Sequence, residues 1–262
     1  MDEYIGDATF NQKYIPMSPT IKYKTLPHNN NNPSLLPIIG KIRYAADKTR
    51  PDSLVSTSII STQALQPHDE FVKGAINILK FLRFSGEQGL KLGGADKNIK
   101  LFCFTDASYI TEGDSKCQLG NCFFITKDSG AIYSTSKKDT TVSHSSTEAE
   151  LKALDLGIRT IIYMRIMLKD MGYEQKLPTE IFIDNKSAKE LSEILKSTHK
   201  TKHLNMRISF IREQINNNII FLTFVSTENQ VADILTRALS KEKFEKFSNL
   251  LLNSFNNSDP EK

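Results

Sequence analysis

Apolar residues in the first third of the chain recur every three or four positions, and after a glycine-rich break the spacing shortens to two. The first pattern predicts helices and the second predicts strands. Three helical segments are expected at residues 35–44, 51–65 and 68–84. In the third, Phe71, Ala75, Ile78, Leu79 and Leu82 fall on one face, behind a first turn (Asp69, Glu70) that suits the helix dipole. Residues 1–33, with Pro16, Pro19, Pro27 and the run Asn29-Asn-Asn-Asn32, have no such stripe and read as an irregular lead-in. The break at Gly89-Leu-Lys-Leu-Gly-Gly94 is a candidate domain boundary.

Beyond it, residues 99–105 alternate as a strand, with Phe102 and Phe104 on one face and Leu101 and Cys103 on the other. Asp106 shares the phenylalanine face. Residues 120–126 and 131–136 predict two further strands joined by the turn Lys127-Asp-Ser-Gly130. A long helix over 147–171, a strand at 180–184, helical stretches at 187–195 and 201–216, and a strand at 219–225 follow. A closing helical region runs from 230 to about 252. The order βββ-α-β-α-β-α predicts an α/β fold, a mixed sheet with helices packed on it. Domain bounds follow: an irregular segment 1–33, a helical segment 34–95, an α/β domain 98–252 and a polar tail 253–262.

Four acidic residues stand out on this frame: Asp106, Glu150, Asp184 and Asp233. Asp106 and Asp184 fall at or near the ends of apolar strands, where each could also simply cap a turn. Helix phase separates the two glutamates of Ser145-Ser-Thr-Glu-Ala-Glu150. Ser145 and Glu148 have capping-box spacing, which gives Glu148 a structural role. Glu150 falls close to the stripe of Leu154, Gly157, Ile158 and Ile161 that must face the sheet, so it needs a buried partner. Asp233 follows a Thr227/Gln230 capping-box spacing, and its alternative role is an i,i+4 ion pair with Arg237. Carboxylates without Cys or His favour hard octahedral cations, Mg²⁺ or Mn²⁺, over zinc. Converging carboxylates of that kind serve two-metal phosphodiester cleavage.

Composition adds little to this. Hydrophobic content of 39% and charged content of 24% are those of a globular chain. No apolar run approaches the ~20 residues of a membrane span, so no membrane partner is expected. Cys103, Cys117 and Cys122 are too few and too irregular for a disulfide framework or zinc site, which favours reduced thiols and an intracellular setting. The net charge of +4 permits a polyanionic partner. Lys200, Lys202, His203 and Arg207 cluster in one stretch that could contact phosphates or lie on a solvated helix approach. Catalysis by His203 is not expected, because nothing near it resembles an activated nucleophile.

The motifs Thr105-Asp-Ala-Ser108, Ser134-Thr-Ser-Lys-Lys138, Ser145-Ser-Thr-Glu-Ala-Glu150, Asp184-Asn185, Thr201-Lys-His203, Phe210-Ile-Arg-Glu213 and Ala232-Asp-Ile-Leu-Thr236 come in a recognisable order. Together they resemble the ribonuclease H domain of copia-type LTR retrotransposon Pol polyproteins. Ile38-Ile-Gly-Lys-Ile-Arg-Tyr-Ala-Ala46, Thr49-Arg-Pro-Asp52 and the helix from Phe71 to Leu82 are similar to the end of that family's reverse transcriptase.

The resemblance implies a mixed five-stranded ribonuclease H sheet and hydrolysis of RNA in RNA–DNA hybrids. It assigns Asp106, Glu150, Asp184 and Asp233 to the binding of two Mg²⁺ or Mn²⁺ ions. It also implies partners among other Pol or Gag products, and a place in a cytoplasmic virus-like particle or the nucleus. The Tyr-x-Asp-Asp motif of a polymerase palm does not occur in the sequence, so DNA synthesis by this chain alone is not expected. The chain departs from the family at Asn205, where an acidic residue is common, and in containing no Trp. It also has no histidine in the loop between Val225 and Asp233. A catalytically inactive remnant that only binds nucleic acid or Pol partners is the alternative reading.

Overall fold

The computed structural model describes residues 14–20, 26–29, 31–94, 98–109, 116–193 and 204–253. Among them, five strands form one sheet of order β3-β2-β1-β4-β5. They are β1 (Phe102–Ser108), β2 (Lys116–Phe124), β3 (Tyr133–Val142), β4 (Thr179–Ile183) and β5 (Ile220–Phe224). The first three pair antiparallel, whereas β1–β4 and β4–β5 pair parallel. The sheet therefore changes direction at β1, as expected for the ribonuclease H fold.

Alternation along the strands divides the core into two layers. On one face Leu101, Cys103, Ile181, Ile183, Ile220 and Leu222 pack beneath three helices. These are α4 (Ser146–Asp170), α5 (Lys186–Glu193) and α6 (Asn205–Asn216). The stripe of Leu154, Ile158 and Ile161 on α4 is buried there, as the helical spacing requires. Asn218, with φ of 55°, makes the left-handed turn from α6 into β5, a conformation that Asn tolerates.

The opposite face carries Phe102, Phe104, Cys122 and Phe124. It packs against α7 (Lys241–Leu252) and against the N-terminal helices α1 (Leu36–Lys48), α2 (Leu54–Ser61) and α3 (Asp69–Phe84). The core thus continues across the glycine-rich break. Backbone bonds do too: Lys91 donates to Leu252 O at 2.8 Å, and Gly130 donates to Lys91 O at 2.9 Å.

A polar joint fastens α7 to the N-terminal helices. Asp52 is fully buried, pairs with Arg50 at 2.9 Å, and accepts a hydrogen bond from Ser248 Oγ at 3.0 Å. Arg50 also donates to the Ser85 carbonyl at 3.0 Å and lies over the Phe81 ring. A buried charge is tolerated only when paired and hydrogen-bonded, and both halves of this pair are.

Several expected bounds shift. The strand expected at 99–105 lies instead at Phe102–Ser108 and runs through Asp106, because Thr105 to Ser108 pair with Gln118 to Asn121 of β2. β3 extends through the polar stretch Ser136–Val142, which a sheet edge accommodates. The helical segment at 51–65 is a 3₁₀ turn (Pro51–Ser53) followed by α2.

The closing helix expected from 230 to 252 is two elements. A 3₁₀ turn, Val231–Leu235, precedes α7, with bonds from Asp233 N to Gln230 O and from Thr236 N to Asp233 O, both 3.1 Å. All five residues of that turn are buried, so no side can face solvent as an amphipathic helix would. Cys103, Cys117 and Cys122 are buried and free. No described helix is long and apolar enough to cross a membrane.

Candidate active site

The pairing of β1 with β4 runs from Phe102–Glu180 to Phe104–Phe182 and then stops. Asp106 and Asp184 each lie two residues beyond the last pair. They project side by side where the strands part, at the carboxyl ends where α/β sheets commonly bind ligands. Glu150 joins them from the first turns of α4. Among the described residues, Asp106, Glu150 and Asp184 each offer a carboxylate oxygen such that the three atoms lie within 4.8 Å of one another. Asp106 and Glu150 are buried, and Asp184 is half-buried.

The helix-phase assignment of the two glutamates holds in the structure. Ser145 Oγ accepts from the Glu148 amide at 3.1 Å, and Glu148 Oε2 accepts from the His144 amide at 2.9 Å. The reciprocal bond goes to the amide one residue before the expected one. Glu148 also pairs with Lys152 at 3.3 Å, and Lys152 with Asp139 at 2.9 Å. Glu148 is not in the three-carboxylate group.

Asp233 is not in that group either. Its fully buried carboxylate pairs with Lys243 at 2.8 Å and with Arg237, the i,i+4 pair expected as its alternative role. It still acts on the cluster electrostatically. Burial pushes the Asp106 carboxyl up to about 7, with the Asp233 and Asp184 charges adding to the rise. Thr236 and Arg237 work the other way. Burial, with the Asp106 and Asp184 charges, also raises Glu150 well above the usual range, opposed by a hydrogen bond with the Ala107 backbone. Crowded carboxylates in a buried site are an electrostatic arrangement that a divalent cation would relieve. The donor set is all oxygen, which fits Mg²⁺ or Mn²⁺.

Other residues position these carboxylates in roles that the sequence did not assign to them. Thr236 Oγ1 donates to Asp106 Oδ2 at 2.5 Å, and Thr227 Oγ1 donates to Asp184 Oδ2 at 2.8 Å. Gln230 is fully buried, and its Nε2 donates to Thr105 O at 2.9 Å and lies 3.4 Å from Phe182 O. It bridges the two strands where their own ladder ends. The Thr227/Gln230 capping box is therefore not formed: Thr227 holds Asp184, while Gln230 joins the strands and its Oε1 accepts from the Ala232 amide at 3.4 Å at the start of the 3₁₀ turn.

Gly120, opposite Asp106 in β2, makes room for the 3₁₀ turn. A Cβ there would sit 2.6 Å from Thr236 Cγ2 and 2.9 Å from Leu235 Cβ. A glycine inside an otherwise regular strand is a signal of close approach that could have been read. Gln230 gave no such signal.

Of the basic stretch, Lys200, Lys202 and His203 lie outside the described residues. Arg207 is described, and its guanidinium pairs with Asp155 at 3.1 Å.

Comparison with known proteins adds to this picture. The chain is 30% identical over 207 residues to the Retrovirus-related Pol polyprotein from transposon TNT 1-94 of Nicotiana tabacum. That match covers 79% of this chain and 15% of the relative. It is 28% identical over 211 residues to the corresponding polyprotein from transposon RE2 of Arabidopsis thaliana, covering 80% of the chain and 14% of the relative. A Transposon Ty1-JR1 Gag-Pol polyprotein of Saccharomyces cerevisiae is 22% identical over 219 residues, covering 81% and 12%.

The chain is thus similar over about four-fifths of its length to transposon Pol polyproteins, and spans about one-seventh of theirs. No family model matches. Among solved structures, LC11-RNase H1 isolated from compost aligns with a TM-score of 0.41 at 14% identity, over 56% of this chain and 96% of that one. The foamy viral protease-reverse transcriptase dRH in complex with double-stranded DNA gives 0.45 at 15%, over 79% and 34%.

Proposed function

We propose that the chain carries the ribonuclease H of a copia-type retrotransposon Pol polyprotein, with the end of its reverse transcriptase before it. The activity is endonucleolytic hydrolysis of RNA in RNA–DNA hybrids. The observation that supports this most is the meeting of Asp106, Glu150 and Asp184 from three separate elements at the sheet's change of direction. These three would hold Mg²⁺ or Mn²⁺, with Asp233 as the fourth carboxylate. A bound divalent ion would polarise the scissile phosphate and lower the pKa of an attacking water.

The chain's own residues prepare that site. Thr236 and Thr227 fix the rotamers of Asp106 and Asp184, so their oxygens need little reorganisation when an ion arrives. Arg237 and Lys243 balance the Asp233 charge. Hybrid recognition would rest on backbone shape and 2′-hydroxyls, with Lys200, Lys202, His203 and Arg207 contacting phosphates. Other Pol or Gag products are the protein partners proposed, in the cytoplasm or nucleus.

The second reading is a catalytically inactive binder of nucleic acid. The pairing of Asp233 with two cations favours it, because a carboxylate so held is less free to take a metal. Incubation of the purified chain with a labelled RNA–DNA hybrid, in Mg²⁺, Mn²⁺ or EDTA, separates the two. Metal-dependent cleavage that Asp106→Asn abolishes supports the enzyme. Hybrid binding without cleavage in either metal supports the inactive binder.

A further inference from the structure

On the sheet face that α7 leaves partly uncovered, four phenylalanines from three strands form a floor. Phe102 stacks on Phe124 with centroids 5.1 Å apart, and Phe104 stacks on Phe182 at 4.6 Å. The two stacks meet edge to face: the Phe102–Phe182 planes stand at 89° and the Phe104–Phe124 planes at 82°. Three of these rings, Phe102, Phe104 and Phe182, are only half-buried. The cavity above them holds about 610 Å³. None of Asp106, Glu150, Asp184 and Asp233 lines it.

Charge at its rim is one-sided. The exposed Lys100, Lys127 and Lys246 stand around it, against Glu180, whose carboxylate accepts a hydrogen bond from Thr223 at 2.8 Å. An aromatic floor gains most from a flat ring that offers further stacked and edge contacts. A cationic rim selects an acidic substituent on that ring and rejects a basic one. The volume is within the range of small-molecule sites and too small for a folded partner.

We propose that this cavity is a binding site for a planar aromatic anion, such as a fused bicyclic ring bearing one acid group. The site is separate from the carboxylate cluster, and its occupancy does not depend on nuclease activity. Failure of this proposal would therefore leave the proposed function untouched.

The chain contains no Trp, so the fluorescence of a naphthalene probe can be followed without tryptophan background. Naphthalene-2-sulfonate should bind saturably at one site per chain, and neutral 2-naphthol should bind more weakly. In the Lys100→Gln/Lys127→Gln double variant, whose changes are at exposed positions, sulfonate affinity should fall about tenfold while 2-naphthol affinity stays the same. A melting curve unchanged from wild type would show that the variant is folded. Absence of saturable binding, or equal sulfonate affinity in wild type and the double variant, overturns the proposal.

Discussion

Removing the charge of Asp106 should weaken the fall of stability with rising pH in metal-free protein, to which the raised Glu150 carboxyl also contributes. The folded-state carboxyl titrates at about 7 against an ordinary 3.8, so between those values the folded chain holds a proton that the unfolded chain has released. Stability then falls as pH rises through that window, and levels off above it. Each pH unit in the window is worth ~1.4 kcal/mol, so raising pH from 5 to 8 should destabilise wild type by about 3 kcal/mol through this group.

Asp106→Asn has no such proton, and its amide oxygen still accepts from Thr236. Urea titrations of both proteins in EDTA, at pH 5 and pH 8, give the difference directly. Groups held low, such as Asp139 beside Lys152, add stability with rising pH only near and below pH 4, outside the measured range. The variant should gain about 3 kcal/mol on wild type between the two pH values, a melting shift of roughly 6–12 °C for a chain of this size. A difference of the opposite sign, or a wild type whose advantage is the same at both pH values, would refute a buried and crowded Asp106.

Three further outcomes follow from the packing. Gly120→Ala should destabilise by about 1–3 kcal/mol, since its methyl group overlaps Leu235 and Thr236, and should weaken Mg²⁺ binding; a melt with and without Mg²⁺ reads both. Gln230→Leu should lose roughly 2–4 kcal/mol in a urea titration by stripping the Thr105 and Phe182 carbonyls of their shared donor. Asp52→Ala leaves the buried Arg50 guanidinium without its carboxylate and should destabilise by about 3–5 kcal/mol. Arg50→Met/Asp52→Leu should recover most of that loss in the same assay.

Helix phase was enough to separate Glu148 from Glu150, because the capping spacing ties Glu148 to Ser145 while Glu150 shares the face of Leu154, Ile158 and Ile161. Strand alternation was enough to place Asp106 beside Phe104. Where β1 ends was not legible, since the pairing of its polar residues 105–108 depends on β2, a partner that local pattern does not contain. The turn at Val231–Leu235 read as α-helix because apolar residues three apart fit both α and 3₁₀ spacing. What decides between them is the space between sheet and N-terminal helices, which is a tertiary property. Thr227, Gln230 and Thr236 act through long-range hydrogen bonds, so their own neighbourhoods gave no sign of it. The glycine-rich break was a candidate boundary in the sequence, but the core crosses it through contacts of α7 with the Pro51–Ser53 turn and with Phe81 of α3.

The central claim is that three carboxylates from separate elements make one cation site. Calorimetric titration of Mn²⁺ into metal-free protein at pH 8 tests it most directly, on wild type and on Asp106→Asn, Glu150→Gln, Asp184→Asn and Glu148→Gln. Wild type and Glu148→Gln should bind the ion alike, while each of the other three should bind at least about tenfold more weakly. Equal binding by Glu150→Gln and wild type, or loss of binding in Glu148→Gln alone, would contradict the account.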